Sequence, residues 1–164
     1  MTAAYIGLGS NLEQPDQQIA NAIRELGALP DTRLIAASSL YQSAPVGPQD
    51  QPDFINAVAL IETALTPLTL LDQLQCLEQQ AGRVRLRHWG ERTLDLDILL
   101  FGNEHVQHPW LTVPHKEMKN RPFVLLPLTE IAPDLRLPCG NTVASLLALL
   151  PAQAVTRLPR QHTN

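Results

Sequence analysis

Two aspartates, Asp95 and Asp97, stand two residues apart in the run Thr93-Leu94-Asp95-Leu96-Asp97-Ile98-Leu99-Leu100. On a strand, alternation puts Leu94, Leu96, Ile98 and Leu100 on one face and both carboxylates on the other. Their Cβ atoms then lie roughly 6–7 Å apart, where two carboxylates repel by about 2.5 kcal/mol at an effective dielectric of 20. A strand flanked by Leu and Ile can hold such a pair if a cation lies between them, and hard oxygen ligands suit Mg2+. The alternative is a pair of surface aspartates, each matched by an arginine. Directly upstream stand Arg83, Arg85, Arg87 and Arg92, and with Glu91 that segment carries a net charge of +3. The guanidinium fork matches phosphate oxygens. Carboxylates for Mg2+ beside arginines for phosphate point to a nucleotide-phosphate site.

A second group lies on the run 54–65. Phe54, Asn56, Val58 and Leu60 share one strand face, and Ile55, Ala57, Ala59 and Ile61 the other. An aromatic face stacks on a flat heterocycle, and an amide offers a donor and an acceptor in one plane. A core Phe beside a turn-proximal Asn is the plainer alternative. Gly7-Leu8-Gly9-Ser10-Asn11-Leu12 lies between a strand and a helix, but Leu12 stands where a dinucleotide fingerprint needs glycine, so NAD(P) binding is excluded. No Walker-type phosphate loop is present. His115 is within reach of a phosphate. His88, His105, His108 and His162 have no metal-ligand spacing.

The chain that must position these groups has 164 residues, 45 % apolar and 17 % charged, with 12 Lys+Arg against 16 Asp+Glu. That length fits one domain, over 1–164, better than two, with a core of its own. The longest near-apolar run, 143–150, is too short to span a membrane. The N-terminal apolar stretch has no basic flank, so no signal peptide is expected. Cys76 and Cys139 read as reduced thiols, which predicts a cytoplasmic protein. The formal charge of −4 argues against a general nucleic-acid binder. Strands are expected over 3–8, 34–43, 54–65 and 93–101. Helices are expected over 15–27, opened by Pro15, over 66–82, opened by Thr66-Pro67, over 120–130, kinked or split by Pro127, and over 142–150. Pro114 is expected to open one helical turn, and 44–52 is loop. This is an α+β pattern, an antiparallel sheet covered on one face.

Arg83-Val84-Arg85 and then Trp89-Gly90-Glu91-Arg92-Thr93-Leu94-Asp95-Leu96-Asp97-Ile98 resemble the signature of the 6-hydroxymethyl-7,8-dihydropterin pyrophosphokinases of folate biosynthesis. Gly9-Ser10-Asn11-Leu12, the run 47–54, Thr112-Val113-Pro114-His115 and Arg121-Pro122-Phe123 extend the likeness over nearly the whole chain. The resemblance implies a ferredoxin-like antiparallel sheet with helices packed on it. It also implies diphosphate transfer from ATP to the pterin hydroxymethyl group, releasing AMP. It makes Arg83, Arg92, Asp95 and Asp97 catalytic, with two Mg2+ held by Asp95 and Asp97. Gln75, Glu78, Arg85, Trp89, Arg92, Ile98, Thr112, His115, Lys116 and Arg121 match ATP-side positions. Ser43, Ala44, Val46, Phe54, Asn56, Trp89 and Phe123 match pterin-side positions, the two phenylalanines sandwiching the ring. A monomer is implied, with ATP and the pterin as small-molecule partners and neither nucleic acid nor membrane. The arginine segment and the 44–52 loop are expected to act as lids. Trp110 and Lys116 stand where some members carry Arg and Tyr that contact the nucleotide, and Glu91 where Pro is commoner. An RNA-binding module of similar fold is disfavoured by the 4 % aromatic content and the missing RNP pattern. A regulator that has lost activity is disfavoured by the intact Asp95/Asp97 pair.

Overall fold

A computed structural model of the chain describes residues 1–12, 14–44, 50–81, 94–150 and 155–159. Val46, Arg83, Arg85, Trp89 and Arg92, with both expected lids' central residues at 45–49 and 82–93, lie outside the described residues. The elements run β1 (Thr2–Ser10), α1 (Pro15–Gly27), β2 (Thr32–Ala37), β3 (Tyr41–Ser43), β4 (Phe54–Thr63), α2 (Pro67–Gln80), β5 (Asp95–Phe101), β6 (Val106–His108), β7 (Leu111–Val113), α3 (Pro122–Ile131), α4 (Val143–Leu149) and β8 (Val155–Arg157).

The sheet has strand order β5-β1-β4-β3-β8, and β2 also pairs with β4. β1 is antiparallel to both its neighbours, which leaves β5 at the sheet edge. β4 alternates as its sequence requires: Ile55, Ala57, Ala59 and Ile61 join one core cluster, and Val58 joins another. The first cluster lies between the sheet and the amphipathic helices α1 and α2, through Ile19, Ala22, Leu26, Leu70, Leu74 and Leu77. Thr66 caps α2 through its hydroxyl, which accepts from the Thr69 N–H at 3.2 Å, and Pro67 follows where a missing N–H costs nothing.

Several expectations are corrected. The sheet is covered on both faces, because Val124, Leu125 and Leu128 of α3 and Val143 and Leu146 of α4 pack with Val58 and Leu99 on the side opposite α1 and α2. The strand expected over 34–43 is broken into β2 and β3. Ser38 is the cause: its Oγ accepts the Val58 N–H at 3.0 Å, and the next N–H, that of Ser39, turns away to the Glu130 carboxylate at 3.0 and 3.1 Å. In β5 the register against β1 shifts between Tyr5 and Ile6. The extra residue there is Leu99, so Leu100 packs in the second cluster with it and Phe101 falls into the first. Leu100 therefore does not share a face with Leu94, Leu96 and Ile98. The helical turn expected at Pro114 forms later, as a 3-10 turn at Met118–Asn120, because the His115 N–H is tied to the Leu99 carbonyl at 3.0 Å. Pro127 lies inside α3 without splitting it. The short β6–β7 hairpin and β8 were not expected; three-residue strands leave too little alternation to read. Among the described residues no helix is long and apolar enough to cross a membrane.

Candidate active site

Pairing register builds the site. Gly9 of β1 lies between Asn56 of β4 and Asp95 of β5, and Gly7 lies between Val58 and Asp97. These two rows share the sheet face that carries Phe54. Two strand spacings separate Asn56 from Asp95, roughly 10 Å, and the residue between them has no side chain. A Cβ on Gly9 would stand 3.5 Å from Asn56 Oδ1 and 3.9 Å from Phe54 Cδ1. The glycine therefore keeps open a trough running from an amide to two carboxylates.

That trough is the floor of a cleft lined by Ser43, Ala44, Phe54, Asn56, Asp95, Asp97, Arg121, Phe123 and Val124 together with Gly7, Leu8, Gly9, Ala57 and Leu99. Asn56 is only 5 % exposed. Its Nδ2 donates to Ser43 Oγ at 2.8 Å, which fixes the amide plane and turns Oδ1 toward the Gly9 position. Asn11, beside the trough, donates from Nδ2 to Gln51 Oε1 at 3.0 Å and to the Pro52 carbonyl at 2.9 Å, pinning the chain that enters β4. Phe123 is in the first turn of α3 and Arg121 is its N-cap residue. The Arg121 guanidinium lies over the Phe123 ring, 5.6 Å from its centroid.

A second cleft follows the β5 edge. It is lined by Leu71, Leu96, Asp97, Ile98, Thr112, His115, Lys116, Glu117 and Arg121, and by Pro109, Trp110 and Leu111 of the hairpin. Asp97 and Arg121 line both clefts. His115 Nε2 is 3.9 Å from Asp97 Oδ2, too long for a hydrogen bond. Its Nδ1 accepts the Glu117 N–H at 3.1 Å, so the neutral ring carries its proton on Nε2, facing Asp97. Burial, and then the Arg121 charge, push the His115 pKa below its usual value, outweighing Glu117 and Asp95.

Of the expected ATP-side residues, Ile98, Thr112, His115, Lys116 and Arg121 are thus brought together. Gln75 is exposed on α2 and lines neither cleft. Glu78 is 4 % exposed, and its Oε2 accepts the Leu96 N–H at 2.9 Å, holding the start of β5. Sequence reasoning missed Gly7 and Gly9 as floor residues, since only the register sets them between the two functional strands. It also missed Leu71 as a wall of the second cleft, which Trp110 lines as well.

The family model of the 7,8-dihydro-6-hydroxymethylpterin-pyrophosphokinases matches residues 5–133, most of the chain. The chain belongs to this family. The 2-amino-4-hydroxy-6-hydroxymethyldihydropteridine pyrophosphokinase of Haemophilus influenzae is 57 % identical over 147 residues, 90 % of this chain and 92 % of that one. The enzyme of the same name from Pseudomonas aeruginosa is 54 % identical over 155 residues, 94 % of this chain and 96 % of its own. Among solved structures, the Plasmodium falciparum HPPK-DHPS with pteroate superposes with a TM-score of 0.71 at 15 % identity. The match covers 90 % of this chain and 42 % of that longer one. This pyrophosphokinase fold therefore persists where the sequence has largely diverged.

Proposed function

We propose that the two clefts are the two substrate sites of one diphosphoryl transfer, meeting at Asp97 and Arg121. As a pyrophosphokinase of this family, the chain transfers diphosphate from ATP to the hydroxymethyl group of 6-hydroxymethyl-7,8-dihydropterin, a step of folate biosynthesis. The observation that carries the assignment of sites is the Asn56–Gly9–Asp95 row. A fused heterocycle laid over Gly9 puts its amide edge on Asn56, and its one-carbon arm reaches the carboxylates. Phe54 and Phe123 supply flat apolar surface for the ring. The triphosphate occupies the β5-edge cleft, with His115, Lys116 and Arg121 toward its oxygens. Arg83, Arg85 and Arg92 add charge in this reading.

Asp95 and Asp97 fit Mg2+. They are half-buried oxygen ligands on one face; both line the first cleft, and Asp97 also lines the second. Among the described residues no group of three or more His, Cys, Asp or Glu side chains could hold a metal by itself. Mg2+ needs only one or two carboxylates when substrate phosphates complete its shell, and two ions suit the pair. Held by Asp95 and Asp97, Mg2+ would supply positive charge toward the triphosphate and the alcohol oxygen. The protein's own part is positioning. Asn56 and the phenylalanines hold the alcohol oxygen in line with the β-phosphorus. Neutral His115 offers Nε2–H to a phosphate oxygen, and Arg121 offsets charge developing on the departing AMP.

The test is AMP release from ATP, Mg2+ and the pterin alcohol, with Asp97→Asn as the variant. We expect turnover to fall at least a hundredfold, about 3 kcal/mol in the barrier, with an unchanged circular dichroism spectrum and melting temperature. Turnover within threefold of wild type would sink the assignment of Asp97.

A further inference from the structure

The row that carries Asp95, Gly9 and Asn56 continues beyond the amide. Tyr41 of β3 is the register partner of Asn56, and Arg157 of β8 is the partner of Tyr41. Residues opposite one another in antiparallel strands point to the same face. Tyr41 and Arg157 therefore extend the cleft face outward from Asn56, and there they meet Glu130 of α3. The Tyr41 hydroxyl donates to Glu130 Oε1 at 2.7 Å, and the Ser39 hydroxyl donates to Oε2 at 3.0 Å. The Arg157 Nε–H donates to Ser39 Oγ at 3.1 Å, and its Nη2 lies 3.5 Å from Glu130 Oε2.

This network joins two elements that need fixing. β3 is three residues long, Tyr41–Ser43, so it has few ladder bonds to hold it. Glu130 is in the last turn of α3, where the helix dipole disfavours a carboxylate, so its place there does not serve the helix itself. Each element supplies part of the lining of the first cleft. β3 ends on Ser43, which accepts from Asn56 and leads into Ala44, and α3 carries Phe123 in its first turn. Glu130 is about 10 Å along the same helix from Phe123. Tyr41, Glu130 and Arg157 line neither cleft.

We propose that Tyr41, Glu130 and Arg157 are positioning residues for the pterin, bracing β3 against α3 and so setting the spacing of Ser43 and Asn56 from Phe123. This rests on the assignment of the first cleft to the pterin. Substitutions that touch no ligand change coupling to a site by about two- to thirtyfold. Here the loss falls on the pterin, because the second cleft is built on β5, the hairpin and residues 115–117 and shares only Asp97 and Arg121 with the first.

The experiment titrates Tyr41→Phe, Arg157→Ala, their double variant and Asn56→Ala with the pterin alcohol and, separately, with a non-hydrolysable ATP analogue, by calorimetry. AMP release gives KM and kcat for each. Tyr41→Phe removes one hydroxyl, and Arg157→Ala breaks a partly exposed pair of the kind that adds little stability, so both variants keep the wild-type circular dichroism spectrum. Each is expected to weaken the pterin at least threefold and raise its KM to match. Affinity for the analogue stays within twofold, and kcat at saturating pterin within threefold. Both substitutions act through one carboxylate, so the double variant weakens the pterin by less than the product of the single effects. Pterin affinity unchanged in Tyr41→Phe and Arg157→Ala but lost in Asn56→Ala overturns the brace and leaves the cleft assignment standing. If Asn56→Ala leaves it unchanged too, the cleft assignment falls as well. Equal weakening of pterin and analogue means that the network only holds the fold, and overturns the proposal.

Discussion

Phe123 has two different tasks on its two sides. It faces the trough floored by Gly9, and it also carries the Arg121 guanidinium over its ring. In the proposed assignment the stacking surface serves only the flat pterin, while Arg121 also lines the second cleft, given there to the nucleotide. Phe123→Ala should therefore weaken the pterin about five- to a hundredfold, and ATP less than threefold, in separate calorimetric titrations. Equal losses would mean that Phe123 is only packing. Residue types were the most legible part of this protein. The two-residue spacing of Asp95 and Asp97, and of Phe54 and Asn56, fixes which side chains share a face, because a strand has a period of two. What lies between the two pairs was not legible. Gly9 reads as the start of a turn from sequence, yet it falls inside β1 as Gly7 does. Their role comes from cross-strand register, which no local pattern encodes. Trp110 was singled out in the sequence as a departure, but only the short hairpin shows that it faces a cleft.

Elements with ten or more residues were read well, and those carrying a local irregularity were not. α1, α2 and β4 have long apolar periods that survive one misplaced residue. β5 looks regular in sequence, and the bulge at Leu99 exists because a second helical layer needs Leu99 and Leu100 on its side of the sheet. The break after β2 depends on Glu130, 91 positions away from Ser39. Glu130 gathers the Ser39 N–H and hydroxyl, the Tyr41 hydroxyl at 2.7 Å and the Arg157 guanidinium at 3.5 Å, tying α3 to β3 and β8. Burial raises its pKa. The bonds from Tyr41 and Ser39 and the Arg157 charge lower it by more, so it ends below the ordinary value of 4.5. A depressed carboxylate stabilises the fold above the unfolded pKa, and that stability is lost as pH falls through the folded one. Tyr41 responds at the other end. Burial, with the Glu130 bond and charge, lifts it to about 12, so its share is full below pH 10 and is lost toward pH 12. We expect Glu130→Gln to cost about 1–3 kcal/mol near neutral pH and to flatten the fall in urea midpoint below pH 4.5. Parallel acid limbs for variant and wild type would show that the Glu130 contacts carry no linked stability.

The whole molecule is a sheet with two uses for its faces. One face packs against α1 and α2, and on the other α3 and α4 cover only part, leaving β1, β4 and β5 to floor a cleft. Because β5 is the edge strand, a second cleft wraps around it, and Asp97 and Arg121 stand where the two meet. With the substrates placed as proposed above, such an arrangement is expected to make the binding of either sensitive to the other. On that assignment the nucleotide brings negative charge to Arg121, and Arg121 rests on the Phe123 ring that lines the first cleft. A phosphate that draws on Arg121 therefore acts on a pterin-binding group directly, with no change of fold needed. We expect a non-hydrolysable ATP analogue, with Mg2+, to change pterin affinity at least fivefold in the wild-type chain, and less than twofold in Arg121→Ala. By linkage, the pterin must change the affinity of the analogue by the same factor. Calorimetry of each ligand with and without the other measures all four constants and checks that the cycle closes. Arg121→Ala should also lower kcat by at least tenfold, since the charge on departing AMP is less well offset. If coupling survives intact in Arg121→Ala, the two clefts communicate through other groups, and the place of Arg121 over Phe123 is incidental to catalysis.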